Sequence, residues 1–101
     1  MRSTRASHLV ECYWPDVSDE KLAAATHRIV DATATARSGG AEVHYLGAFV
    51  MPADETVFCL FNGSEAAVRA ISVDAKLPFE RVLALRWLGP RAADMQSRSP
   101  G

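Results

Sequence analysis

The sequence lacks several features that mark particular classes of protein. It has only two cysteines, Cys12 and Cys59, and no C-x-x-C motif, which argues against a structural zinc site. No apolar run approaches the roughly 18 residues of a membrane span, and no apolar segment follows residues 1–7 as in a signal peptide. The formal net charge of −1 leaves no basic surface for phosphate, so we expect no nucleic-acid partner. These absences predict a cytoplasmic protein without a membrane partner.

What is present indicates one globular domain. Of the 101 residues, 49% are hydrophobic and only 23% are charged, which is typical of a folded chain with one core. The hydrophobic patterns lie within residues 8–88, and we assign the domain to that range. Residues 1–7 and 89–101 are short and polar, so we expect them to be flexible.

The periodicity of the apolar residues predicts six elements in the order strand, helix, strand, strand, helix, strand. They cover residues 8–14, 18–36, 42–51, 56–62, 64–76 and 79–88. Ser18 and Ser64 are predicted N-caps of the two helices. This order is that of the ferredoxin-like βαββαβ fold of the α+β class, a four-stranded antiparallel sheet with two helices on one face.

The central pair of strands predicts an apolar surface on both faces of the sheet. If the hairpin is symmetric about residues 52–55, Ala48 opposes Cys59. Strict alternation then places His44 on the face of Ala48 and Tyr45 on the opposite face. Two helices cover one face only, and each large apolar side chain left exposed costs about 1.5–3 kcal/mol. We therefore expect a homodimer, with the open faces of two sheets enclosing a dimeric α+β barrel, while a ligand or lipid is the alternative cover.

Polar groups within apolar strands are the candidate site residues. Glu11 alternates with Leu9 and Tyr13, and a half-buried carboxylate there suits a general base or a metal ligand. The alternative is an ion pair with Arg81 or Arg86.

Imidazole and aromatic side chains supply the other candidates. His44 is the best candidate metal ligand, because imidazole binds borderline metals, although its place near the start of the strand favours an ordinary surface histidine. Tyr13 and Tyr45 are candidates for lining a pocket for a planar or apolar ligand, or else core residues. Cys12 and Cys59 lie within apolar strands, so buried free thiols are favoured over a disulfide or a nucleophile.

Three segments together resemble a known family. They are LVECYWP at 9–15, DETVFCLF at 54–61 and LPFERV at 77–82, and they resemble small bacterial proteins catalogued as a domain of unknown function, whose named representative binds nickel. The resemblance covers roughly residues 8–86. It implies a dimeric ferredoxin-like barrel that binds nickel or another divalent metal. Nickel-binding members place a histidine in or just after the second helix, where residues 68–76 here have none, and Lys76 stands where the family usually has glycine.

These observations lead to a principal function and alternatives. The first is a homodimer that binds a small ligand or a metal ion near the sheet face, through Glu11, Tyr13, Tyr45 and His44. The second, by analogy of fold, is an oxygenase, isomerase or cyclase acting on a small organic substrate. A structural or partner-binding module is the third. Convergence of Glu11 and His44 in one cavity would favour the first two.

Overall fold

The computed structural model describes residues 6–86. Its elements are β1 (Ser7–Tyr13), α1 (Asp19–Ser38), β2 (His44–Met51), a 3₁₀ turn (Pro52–Asp54), β3 (Thr56–Asn62), α2 (Glu65–Asp74) and β4 (Phe79–Leu85). All neighbouring strands are antiparallel, in the order β2-β3-β1-β4. The predicted ferredoxin-like fold is thereby confirmed. The proposed tail at 89–101, most of the N-terminal segment and the end of the last predicted strand lie outside the described residues, while Ser7 belongs to β1.

Both helices begin at the predicted caps. The Ser18 hydroxyl accepts a hydrogen bond from the Lys21 amide at 3.2 Å, and the Ser64 hydroxyl accepts one from the Ala67 amide at 3.1 Å. Such caps satisfy amides that have no partner within the helix, each worth about 1 kcal/mol. After α2 the chain turns through Lys76, whose φ of 58° lies in the left-handed region. Glycine adopts that conformation without strain, whereas a lysine there carries a small conformational cost.

The core lies between the two helices and one face of the sheet. Its buried side chains come from β1 and β3 and from the inner faces of both helices, and include Val10, Cys12, Val57, Cys59, Phe61, Ala25, Ile29, Val68 and Ile71. Both cysteines are buried and free, as expected. Contact with the Cys59 thiol, together with burial, raises the pKa of the Cys12 thiol. Cys12 therefore stays protonated and acts as a small apolar side chain.

A bulge in β2 changes which face its first residues occupy. Ala48 pairs with Cys59 as predicted, but the register shifts so that Gly47 pairs with Leu60 and Tyr45 with Phe61. Gly47 has a φ of 137°, which only glycine adopts readily, and this permits the extra residue. The alternation predicted for this strand is therefore wrong at Tyr45, which lies on the helix-covered face, and by register also at His44, which pairs with Asn62.

The other face of the sheet, termed here the open sheet face, has no helix of residues 6–86 packed on it. By register it carries Leu9, Phe49, Phe58, Leu60 and Leu83. Phe49 is 58% exposed, and the other four are partly exposed. Two apolar faces, one covered and one open, are what the sequence predicted. No helix among residues 6–86 is both long and apolar enough to cross a membrane.

Candidate ligand-binding cleft

A cavity of about 620 Å³ lies between α1 and the start of β2 and is called here the α1–β2 cleft. Its lining residues are Val30, Thr33, Ala34, Arg37 and Ser38 of α1 and His44 and Tyr45 of β2. Protein sites for small molecules commonly have volumes of about 300–1,000 Å³, apolar walls and a few polar groups. Two of the predicted site residues, His44 and Tyr45, thus meet in one cavity.

Arg37 and His44 form the polar end of the cleft. Arg37 stands in the last turn of α1, and its Nη1 lies 3.0 Å from Nδ1 of His44. A guanidinium group has only donors, so Arg37 donates this hydrogen bond and Nδ1 accepts it. The proton of the imidazole is consequently on Nε2, and the contact fixes both the tautomer and the orientation of the ring.

Tyr45 forms an apolar wall of the cleft. Its ring packs against Phe61 of the core, with ring centroids 5.1 Å apart. Burial raises the pKa of the Tyr45 phenol to about 12. The phenol is therefore neutral at physiological pH, and Tyr45 adds no negative charge to the cleft.

Thr33 is a buried polar residue in the same wall. It is 7% exposed, and its Oγ1 has no hydrogen-bond partner within the described chain. A threonine in a helix often donates to the carbonyl four residues earlier, as Thr26 does to Leu22 at 2.9 Å, whereas Thr33 makes no such bond. Leaving a buried hydroxyl unpaired costs about 1–3 kcal/mol. The unpaired hydroxyl of Thr33 thus lowers the stability of the fold at a residue that lines the α1–β2 cleft.

Thr33→Val is therefore expected to stabilise the protein. Valine keeps the shape of the side chain and removes the unpaired hydroxyl, so we expect the free energy of unfolding to rise by about 1–2 kcal/mol. Urea denaturation of the two proteins measures this difference. A destabilised Thr33→Val variant would show that the hydroxyl has a hydrogen-bond partner in solution.

Glu11 and Tyr13 lie on the open sheet face rather than in the cleft. Glu11 accepts a hydrogen bond from Nε of Arg81 at 2.7 Å, which is the ion pair considered as the alternative role of this carboxylate. The Tyr13 hydroxyl donates to Oε1 of Glu55 at 3.1 Å, and this contact raises the pKa of the Tyr13 phenol. Both side chains are thus engaged by neighbouring strands and turns.

The fold does not bring Glu11 and His44 together. His44 pairs with Asn62, which pairs in turn with Ser7, so Glu11 lies two strands away and four positions along β1. A strand spacing of about 4.8 Å and a rise of about 3.3 Å per residue separate their Cα atoms by roughly 16 Å. Among residues 6–86 no group of three or more His, Cys, Asp or Glu side chains is placed to hold a metal ion.

The sequence analysis missed Arg37 and Thr33. The available signal was periodicity, because Ile29 and Thr33 follow one another at an interval of four on the inward side of α1, whereas Arg37 is exposed. A threonine within that stripe pointed to a buried hydroxyl. Nothing local placed Arg37 beside His44, since their proximity depends on the turn through Gly39 between α1 and β2.

Comparison with known proteins adds evidence about the fold. No protein-family model and no curated protein matches the sequence. Among solved structures, the chain is similar to the crystal structure of SCO4226 from Streptomyces coelicolor A3(2), with a TM-score of 0.66 and 20% sequence identity. The similarity covers 83% of this chain and 100% of the other. At that identity the likeness shows a shared small ferredoxin-like fold.

Proposed function

We propose that this protein binds a small organic molecule in the α1–β2 cleft. The observation that carries the proposal is the grouping of Arg37, His44 and Tyr45 around one cavity of about 620 Å³. An apolar wall with a few fixed polar groups is the usual composition of a small-molecule site.

The second cavity is a weaker candidate. It has about half the volume, about 310 Å³, and is lined by Arg28, Asp31, Ala32, Thr35 and Asp74. No aromatic side chain and no histidine lines it. Arg28 is moreover engaged in the structure, since its Nε donates to the Ala75 carbonyl at 2.7 Å and so ties α1 to the end of α2.

The functional unit in this proposal is a homodimer formed through the open sheet face. That face presents partly exposed leucine and phenylalanine side chains from all four strands, and a contiguous apolar surface of this kind marks an interaction site. Its central charged groups, Glu11 and Arg81, are one acid and one base. A face with balanced charges is complementary to itself, so a second copy related by a twofold axis suits it better than a strongly charged partner does.

A divalent cation such as nickel stays a prediction for this protein. A metal ion needs about four ligands, of which the protein usually supplies three or more. His44 and Glu11 lie too far apart within one chain to share an ion. His44 also has the positive charge of Arg37 beside its Nδ1. A metal site that uses both His44 and Glu11 would therefore have to combine residues of two copies.

Filling the cleft tests the ligand-binding proposal. Ala34 is exposed on α1 and lines the cleft, so Ala34→Trp blocks the cavity without removing a polar group. We expect it to weaken binding of two-ring aromatic probes, 2-naphthoate and the neutral 2-naphthamide, by at least about tenfold. Ala24→Trp is the matched control, because Ala24 is exposed on the same helix outside the cleft.

Two-dimensional NMR of the ¹⁵N-labelled protein gives both the affinity and the place of binding. The proposal is supported if a probe shifts the amide signals of residues 30–45 and Ala34→Trp alone abolishes the effect. Equal binding by the two tryptophan variants, or shifts confined to residues outside 30–45, would overturn it. The same spectra show that each variant is folded.

A further inference from the structure

We infer that the ligand of the α1–β2 cleft is an organic monoanion, a carboxylate on an apolar body, held by Arg37 and His44. The inference rests on the proposed function and adds the chemical class of the ligand. Three observations carry it: the hydrogen-bonding character of the polar end, the net charge at that end, and the composition of the walls.

The polar end of the cleft offers donors to a ligand. Arg37 donates one N–H to Nδ1 of His44 and keeps further N–H groups for a second partner. His44, with Nδ1 occupied as an acceptor, carries its proton on Nε2 and presents it as a donor. Within residues 6–86 no carboxylate forms an ion pair with Arg37, in contrast to Arg69 and Arg81, which are paired with Glu65 and Glu11. A ligand group that only accepts hydrogen bonds and carries negative charge fits this end.

The charge at this end suits one negative charge rather than two. Among the described residues that line the cleft, Arg37 is the only arginine or lysine. It stands in the last turn of α1, where the helix dipole contributes about half a negative elementary charge. Phosphate groups are typically bound at the opposite, N-terminal end of a helix. A carboxylate is thus favoured over a phosphate ester, which is largely dianionic at neutral pH.

The remaining walls fit an apolar body. Val30 and Ala34 of α1 and the ring of Tyr45 line the cavity away from the guanidinium group. Tyr45 is held in place by its packing against Phe61, so the wall exists before a ligand arrives. A planar aromatic or branched aliphatic group against these side chains buries apolar surface. The carboxylate and the apolar body together define the ligand class.

Three probes with one ring system separate charge from shape. They are 2-naphthoate, the uncharged 2-naphthamide and 2-naphthyl phosphate, each titrated into the ¹⁵N-labelled protein. We expect 2-naphthoate to shift amides of residues 30–45 and to bind at least about tenfold more tightly than 2-naphthamide, since hydrogen bonds to charged groups are the stronger ones. The phosphate ester should bind more weakly than the carboxylate.

A pair of arginine variants assigns this preference to Arg37. Arg37→Gln should reduce the difference in affinity between 2-naphthoate and 2-naphthamide from at least about tenfold to within about twofold. Arg69→Gln is the matched control, because it removes an exposed arginine on α2, and it should leave the preference intact. A preference that survives Arg37→Gln would overturn the role of Arg37.

The outcomes distinguish the inference from the function on which it rests. If 2-naphthamide binds in the cleft as tightly as 2-naphthoate, the cleft is a ligand site but the anion assignment is wrong. If the phosphate ester binds most tightly, the monoanion assignment is wrong. If no probe shifts residues 30–45, the proposed function fails together with the inference.

Discussion

Phe49→Lys is expected to convert a dimer into a monomer. Phe49 lies on β2 within the open sheet face and is 58% exposed in a single chain, so folding of the chain does not depend on it. In a twofold dimer the substitution occurs twice. Each copy loses roughly 1.5–3 kcal/mol of apolar burial, and the sum corresponds to a dissociation constant at least about a hundredfold higher.

A second lysine variant controls for the added charge. Val73 is 60% exposed on α2, in the helical layer and away from the open sheet face. Val73→Lys changes the net charge by the same amount and should leave the association unchanged. Sedimentation equilibrium over a range of protein concentrations measures all three proteins. An unmodified chain that is monomeric throughout, or a Phe49→Lys variant that associates as strongly, would contradict the proposed interface.

Phe61→Ala should cause the largest loss of stability of any variant considered. Phe61 is fully buried near the end of β3, between His8 of β1 and Tyr45 of β2. Removing a buried phenylalanine costs about 3–5 kcal/mol through lost transfer energy and the cavity left behind. A small domain has a total stability of about 5–15 kcal/mol, so a substantial fraction of the variant would unfold in mild urea. Loss of the ring would also remove the support of Tyr45 in the cleft.

A phenylalanine on the opposite face of the same strand provides the comparison. Phe58 is a phenylalanine of β3 that lies on the open sheet face and is partly exposed. Phe58→Ala, measured in the Phe49→Lys background so that association does not contribute, should cost clearly less than Phe61→Ala. Denaturation by urea followed by circular dichroism compares the two. Equal losses of stability in Phe58→Ala and Phe61→Ala would contradict the assignment of the core to the helix-covered face.

We propose separate roles for the open sheet face and the α1–β2 cleft. The open sheet face, with the ion pair of Glu11 and Arg81, is proposed to join two copies. The α1–β2 cleft, with Arg37 and His44, lies on the helix-covered side and is proposed to hold the ligand. Because the two surfaces are distinct, Phe49→Lys should abolish association without removing the polar end of the cleft. Ligand binding by the monomeric variant therefore tests whether a single chain suffices.

Local patterns in the sequence predicted the elements and their order. Alternating apolar residues in β1 and β3, caps at Ser18 and Ser64 and the turn after Met51 depend on near neighbours along the chain. Such features can be predicted from the sequence because backbone geometry sets the periods of strands and helices. The same patterns predicted that apolar side chains would occupy both faces of the sheet. They failed at Tyr45, since a bulge adds one residue and reverses the alternation beyond it.

The sequence by itself determined the ferredoxin-like order, the covered core and the apolar open face, because each follows from hydrophobic spacing and turn residues. Only the tertiary structure decided which polar groups meet. β1 and β2 both pair with β3 and not with each other, and this arrangement separates Glu11 from His44. The turn after α1 reverses the chain, so that Arg37 contacts His44. Such contacts join residues through the path of the backbone in space, which no local periodicity encodes.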